Sequence, residues 1–210
     1  MGQPADLVAA ARAHGVRDRR LLAAIAAVPR AEFVPAGLGA RAYDDEPLPI
    51  PHGQVTTQPS LVAQMVESLE LAPSDRVLEI GTGFAWQTAL LARVAGDVWS
   101  VERWPDIAQR AHSHLDHRGV ENATVVVGDG SGGLPEHAPY DAILVAAALP
   151  DVPAPLVEQL ADGGRLIQPI GPGGAEEVVL FEKRDDVLER IRRVTGAHFV
   201  RLYGEHGFTP

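Results

Sequence analysis

The chain has no cysteine among its 210 residues, which excludes disulfides, thiolate metal ligands and a cysteine nucleophile together. It is also short of basic residues: 18 Lys and Arg stand against 28 Asp and Glu, a formal net charge of −10. That balance disfavours non-specific attraction to nucleic acid or to an anionic membrane surface, both of which need clustered cations. Long apolar runs are missing too. No stretch approaches the ~18 residues of a membrane span, and no apolar run follows a basic start at the N-terminus, so a cytoplasmic location is expected. What remains, 46% hydrophobic and 22% charged residues, suits an ordinary soluble globular protein with one substantial core.

Apolar spacing predicts helices over 5–14 and 19–27, the second stopped by Pro29. Between 30 and 59, Pro35, Pro47, Pro49 and Pro51 with Gly37, Gly39 and Gly53 forbid long regular structure. Phe33, Val34, Tyr43, Leu48 and Ile50 in that stretch predict an ordered loop that packs on something. A helix over 61–69 follows. Strands are then expected at 77–80, 97–102, 124–127 and 140–146, alternating with helices over 87–95, 105–117 and 155–160. Further strands at 166–170, 177–182, 187–194 and 197–202 have little helix between them. The alternation predicts an α/β fold with right-handed crossovers and antiparallel strands at the end of the chain.

The stretch around which the rest is organised is RVLEIGTGFAWQTA, residues 76–89. A buried-strand pattern breaks into Gly81-Thr82-Gly83 and then into helix, the usual way for a parallel strand to end beneath a ligand. A dinucleotide fingerprint wants a third glycine three residues after the second, where this chain has Trp86. Glu79 adds a carboxylate that would repel phosphates, which favours a cationic nucleoside instead. S-adenosylmethionine, with a sulfonium, an ammonium and no phosphate, fits that description. Glu102 closes the next predicted strand, where a carboxylate can accept from both ribose hydroxyls. Gly128-Asp129-Gly130 closes the third, where Asp129 could accept from an adenine amine. Ligands of open parallel sheets bind beyond such strand ends, and the three signals should converge.

The sequence resembles the protein-L-isoaspartate O-methyltransferase family in VPRAEFVP (28–35), AYDDEPLPI (42–50), GQVTTQPSLVAQM (53–65), VLEIGTGFAWQTALLA (77–92), VWSVER (98–103), GDGSGGLPEHAPYDAILVAAA (128–148) and GGRLIQPIG (163–171), in family order over nearly the whole chain. The resemblance implies a Rossmann-like, seven-stranded, mostly parallel sheet of the class I methyltransferase type, with an N-terminal helical layer and antiparallel C-terminal strands, in one domain. Its parts would be helices and substrate loop over 1–60, cofactor-binding core over 61–171 and C-terminal strands over 172–210. The implied activity moves the methyl of S-adenosylmethionine, leaving S-adenosylhomocysteine, to the free α-carboxylate of L-isoaspartyl residues in damaged proteins or peptides. The ester closes to a succinimide that hydrolyses partly to aspartate.

The implied cofactor contacts are Glu79, Gly81, Thr82, Gly83, Glu102, Arg103, Gly128, Asp129 and Gly130. Substrate contacts are Gln54, Thr56, Thr57, Gln58, His198 and Val200, with catalytic positioning by Thr57, where the family usually has serine. Other departures from the family pattern are Phe84-Ala85-Trp86 for a small residue, glycine and tyrosine, Ala146 for threonine, and Arg201 for proline. A monomer that binds no metal is expected. Two other readings differ on the substrate side: methylation of an aspartate in a dedicated peptide, or adenosyl binding without catalysis.

Several features are read as structural. His112, His114 and His117 lie on a predicted helix whose spacing brings only the last two together, which suits a solvated face better than a metal site. Trp86, Trp99 and Trp104 read as core or pocket aromatics. His52 beside the loop could meet a carboxylate or make a structural bond, and Asp44-Asp45-Glu46 reads as a solvated turn that could also order the loop.

Overall fold

The computed structural model describes residues 2–209. Helices α1 (Pro4–Ala13) and α2 (Arg19–Ala27) open the chain. Asp18 caps α2 by accepting from the backbone N–H of Arg20 and Leu21, and Val28 leaves the helix extended before Pro29, which cannot continue it. The proline-rich stretch then forms short 3-10 turns at Arg30–Phe33 and Ala36–Arg41. A two-stranded ribbon of β1 (Leu48–Pro49) and β2 (Val55–Thr56) follows, with Leu48 opposite Thr56. The expected packed loop is thus ordered by a hairpin, with His52 (φ 59°) and Gly53 (φ 67°) at its tip.

After α3 (Pro59–Ser68) come β3 (Arg76–Ile80), α4 (Trp86–Val94), β4 (Asp97–Glu102), α5 (Pro105–His117), β5 (Ala123–Val127), β6 (Tyr140–Val145), α6 (Ala154–Gln159), β7 (Leu160–Ile170), β8 (Glu176–Arg184) and β9 (Val187–Ala197). The seven-stranded sheet has the order β5-β4-β3-β6-β7-β8-β9. Pairs through β6–β7 are parallel, and β7–β8 and β8–β9 are antiparallel. Asp185 and Asp186, both at positive φ, make the two-residue turn from β8 to β9, whose left-handed residues match the strand twist.

Strand alternation divides the core between the two faces of the sheet. Val77, Val98, Ala142 and Leu144 pack with α1 to α4, whereas Leu78, Ile80, Val101 and Ile143 pack with Leu156 of α6 on the other side. Glu79 shares the parity of Val77 and is buried beneath α4. The strand expected at 197–202 does not form as such. Beyond Ala197 the chain crosses the exit of β6, with Ala148 N–H donating to Val200 O at 2.8 Å and Leu202 N–H to Ala148 O at 2.9 Å, and makes only an isolated bridge at Arg201. It has no strand to lie along there, but the crossing brings 200–203 over the carboxyl ends of the sheet.

Candidate active site

The sheet reverses direction of growth between β3 and β6, so a crevice opens at their carboxyl ends. Gly81 leaves β3 at φ +96°, a conformation that favours glycine, and lies beside Ala146, just past β6. The turn continues through Gly83 (φ +55°) to Ala85, which holds φ 71° as the residue before α4. Gly130 lets the third strand's exit approach β3, since a Cβ there would meet Ile80 Cγ2 at 2.5 Å.

Above these turns lies a cavity of about 420 Å³, within the range of small-molecule sites. Gly81, Thr82, Gly83, Glu102, Arg103 and Gly130 line it on the sheet side, Gln54, Thr56 and Thr57 on the loop side, and Val200 on the C-terminal side. Glu102 is held on both oxygens: Gly83 N–H donates to Oε2 at 2.9 Å and Trp104 N–H to Oε1 at 3.0 Å. Burial still pushes its pKa up, against those bonds. Arg103 is exposed and lies over the rings of Trp104 at 5.4 Å and Tyr203 at 5.5 Å, cation–π contacts that hold its guanidinium at the cavity rim.

A second cavity, of about 350 Å³, is lined by Gln58 and His198 together with His14, Ser60 and Gln64. Val55, Thr57, Ala146 and Val200 border both cavities and form the wall between them. Gln58 is tied back, donating to Asp45 Oδ2 at 3.0 Å, while Ser60 N–H donates to Asp45 Oδ1 at 2.8 Å. Partial burial pushes Asp45 up, but the bonds from Gln58 and Ser60 prevail and hold it below the usual carboxylate range. The acidic run therefore orders the start of α3 through Asp45.

Three of the expected cofactor residues are not among the residues that line either cavity: Glu79, Gly128 and Asp129. Glu79 is fully buried under α4 and accepts from Gln87 Nε2 at 2.8 Å, Thr88 Oγ1 at 2.5 Å and Ser100 Oγ at 2.5 Å. Because Ser100 donates there, its bond with Thr82 at 2.6 Å runs from the Thr82 hydroxyl, so Glu79 reaches the cavity wall only through that relay. Burial raises Glu79 to about 7 despite the three donors. Repulsion of phosphate by Glu79 thus does not describe the site, since strand parity directs the carboxylate into the helix layer. Asp129 serves the chain's own C-terminal turn: Oδ1 accepts from Ser131 N–H at 2.9 Å and Oγ at 2.7 Å, and Oδ2 from Glu205 N–H at 2.7 Å.

The histidines of α5 do not cluster with other ligands, and no group able to hold a metal ion occurs among the described residues. His114 Nδ1 contacts Phe84 O at 3.0 Å as a structural bond. His52 stacks on Trp104 at 4.0 Å and pairs with Asp106 at 2.9 Å, fastening the hairpin tip to α5. Trp86 lines the cavity and donates Nε1–H to Val28 O at 3.2 Å. Arg30, to which the sequence assigned no role, is a buried hub for the loop. Its only signal is an arginine set in the apolar, proline-bounded VPRAEFVP.

A family model described as protein-L-isoaspartate(D-aspartate) O-methyltransferase matches residues 3–207. The protein-L-isoaspartate O-methyltransferase of Methanoculleus marisnigri is 51% identical over 197 residues, covering 94% of this chain and 89% of that protein. A solved structure of a protein-L-isoaspartate O-methyltransferase superposes with a TM-score of 0.86 at 32% identity, covering 98% of this chain and 67% of that one. A second, from Plasmodium falciparum and in complex with S-adenosyl-L-homocysteine, shares the fold with a TM-score of 0.78 at 20% identity, over 97% of this chain and 99% of that one.

Proposed function

The chain belongs to the protein-L-isoaspartate(D-aspartate) O-methyltransferase family, and from that membership we propose that its two cavities hold S-adenosylmethionine and an isoaspartyl peptide on opposite sides of the Thr57 wall. The reaction transfers a methyl group to the free α-carboxylate of L-isoaspartyl residues in damaged proteins, which begins their repair through a succinimide. The observation that carries the reading is that wall: Val55 and Thr57 of the loop, with Ala146 and Val200, border two adjacent cavities of about 420 and 350 Å³.

The donor cavity fits the molecule by the chemistry of its lining. Glu102 has lone pairs left for ribose hydroxyls after its two backbone bonds. Ile80, Val101 and Ile107 offer apolar faces to an adenine, and Gly81 and Gly83 let backbone approach closely. Arg103 and Gly130 shape the same end, with Asp129 and Gly128 holding the turns behind them. Glu79 supports the cavity from below through Ser100 and Thr82.

The acceptor carboxylate is ionised at neutral pH and needs no base. Its oxygen forms the C–O bond as the C–S bond breaks, and the electron pair stays on sulfur. The protein's task is alignment and exclusion of water from the nucleophile. Thr57 holds that carboxylate at the wall, with Gln54 and Thr56 beside it. Gln58, His198 and Val200 border the peptide.

The net charge of −10 disfavours polyanion partners. No helix among the described residues is long and apolar enough to cross a membrane. The exposed large hydrophobics Val55, Val127, Val187 and Ile191 lie on three different strands, β2, β5 and β9, which supports a monomer, and a cytoplasmic location is part of the same proposal.

Labelled S-adenosylmethionine with paired peptides carrying Asp or isoAsp at one site tests the reading. Base-labile label on the isoAsp peptide alone is expected. Label on the Asp peptide would favour a dedicated aspartate substrate, and label on neither, with donor binding intact, would sink the proposal.

A further inference from the structure

Arg30 is the largest fully buried side chain, 1% exposed, and makes no ion pair among the described residues. Its guanidinium instead sits in a cage of neutral oxygens. Nη1 donates to the carbonyls of Ala42 and Asp44, each at 3.2 Å. Nη2 donates to Glu46 O at 3.0 Å, Thr57 O at 3.3 Å and Thr56 Oγ1 at 2.7 Å. Trp86, a cavity residue, covers it at 5.7 Å. Burial pushes its pKa down to about 10, with Asp45 and Asp44 opposing, so it is charged at neutral pH.

The bond to Thr56 has a consequence for hydrogen placement. Thr56 Oγ1 also accepts from Leu48 N–H at 3.1 Å. Two N–H donors occupy both lone pairs of the hydroxyl, so its own hydrogen is left to donate. No acceptor for it occurs among the described residues, and Thr56 lines the first cavity. A charged donor behind the oxygen also polarises the O–H bond and strengthens it as a donor.

We propose that Arg30 is a positioning residue for methyl transfer, fixing the Thr56 hydroxyl as an obligate donor to the acceptor carboxylate from behind the loop. The inference rests on the isoaspartyl reading of the site. Arg30 touches neither substrate and acts through Thr56 and the Thr57 carbonyl. A neutral, apolar residue could fill its volume, but it would leave the loop carbonyls at 42, 44, 46 and 57 without donors. It would also free the Thr56 hydroxyl to turn toward one of them.

A double-mutant cycle tests this. Initial rates with an isoaspartyl peptide, S-adenosylhomocysteine affinity by calorimetry and thermal melts are compared for wild type, Arg30→Lys, Thr56→Val and the double variant. Each single change should lower kcat/KM by about 10- to 100-fold, the worth of a charge-assisted hydrogen bond. The double variant should fall no more than about threefold below the worse single, because both remove one interaction. S-adenosylhomocysteine affinity should hold within about threefold, and Thr56→Ser, which keeps the hydroxyl, should retain activity. If Arg30→Lys does not fold, Arg30→Gln, which retains part of the cage, takes its place in the cycle. Effects that multiply in the double variant overturn the proposal, as do wild-type kinetics in Thr56→Val or a loss of S-adenosylhomocysteine affinity in step with kcat/KM. A wild-type protein that methylates no isoaspartyl peptide overturns the functional reading and this inference with it; multiplicative effects in an active protein overturn this inference alone.

Discussion

Gly83 donates its backbone N–H to Glu102 Oε2 at 2.9 Å, so the glycine turn that ends one strand is held by the carboxylate that ends the next. Glu102 is thus both an acid lining the cavity proposed for the donor and a brace for the turn beneath that cavity. Removing the carboxylate loosens both.

Glu102→Ala should weaken S-adenosylhomocysteine binding by about 10- to 100-fold, as expected when an ionised acceptor of hydroxyl groups is lost. Turnover at saturating donor should change far less. Calorimetry on the folded variant checks this, and unchanged affinity would remove the ribose assignment.

Thr57→Ala should act in the opposite sense, because Thr57 stands on the wall between the cavities and not deep in either. Turnover should fall about tenfold or more, the cost of one lost hydrogen bond to a charged group, with donor affinity nearly intact. Thr57→Ser should restore turnover. Steady-state rates beside a binding isotherm separate the two effects.

Glu79→Gln should change how stability depends on pH. Burial lifts Glu79 from the ordinary 4.5 to about 7 in the folded protein, so the fold binds its proton more tightly than the unfolded chain does. The stabilisation is complete below the unfolded value and is lost as pH rises through about 7. The amide variant lacks this dependence. Denaturation of both proteins at pH values below, within and above that window should show the variant gaining on wild type by about 3 kcal/mol across it. A constant difference would mean Glu79 titrates normally.

Ala85→Gly should stabilise the protein. Ala85 holds a left-handed φ of 71° before α4, which costs a residue with a Cβ about 1–2 kcal/mol that glycine avoids. The freer unfolded chain of the variant offsets about 0.4–1 kcal/mol of that relief. A net gain of up to about 1.6 kcal/mol, read as a rise of up to about 6 °C in Tm, is expected. A lower Tm would show that the methyl's packing matters more than its backbone strain.

Much of the fold is legible in the sequence where local chemistry sets it. β4 and α5 begin and end at the residues expected, because Glu102 and Pro105 bound them sharply. β7 starts at Leu160, not near Leu166, since a register shift between Tyr140 and Ala142 of its neighbour lets the chain pair on both sides of a glycine-containing irregularity that no local pattern announces. Residues 197–202 alternate like a strand, yet a strand also needs a neighbour, and there the chain crosses the sheet's end.

The site divides similarly. Glycine turns and strand-end acids identify the crevice, but which face a carboxylate takes depends on parity, and Glu79 follows Val77 under α4. Asp129 is claimed by Glu205, which no local pattern joins to it. Arg30 lay hidden because an arginine ordinarily reads as solvated, and its cage is built from oxygens 12 to 27 positions further along.

Two cavities that meet at Thr57 and Val200 have their own linings elsewhere, so neither occupant must depart before the other arrives. With donor and peptide seated as proposed, the expected kinetic scheme is sequential. Double-reciprocal plots at several fixed peptide concentrations should intersect and not run parallel, and no methylated form of the protein itself should accumulate when the donor is supplied alone.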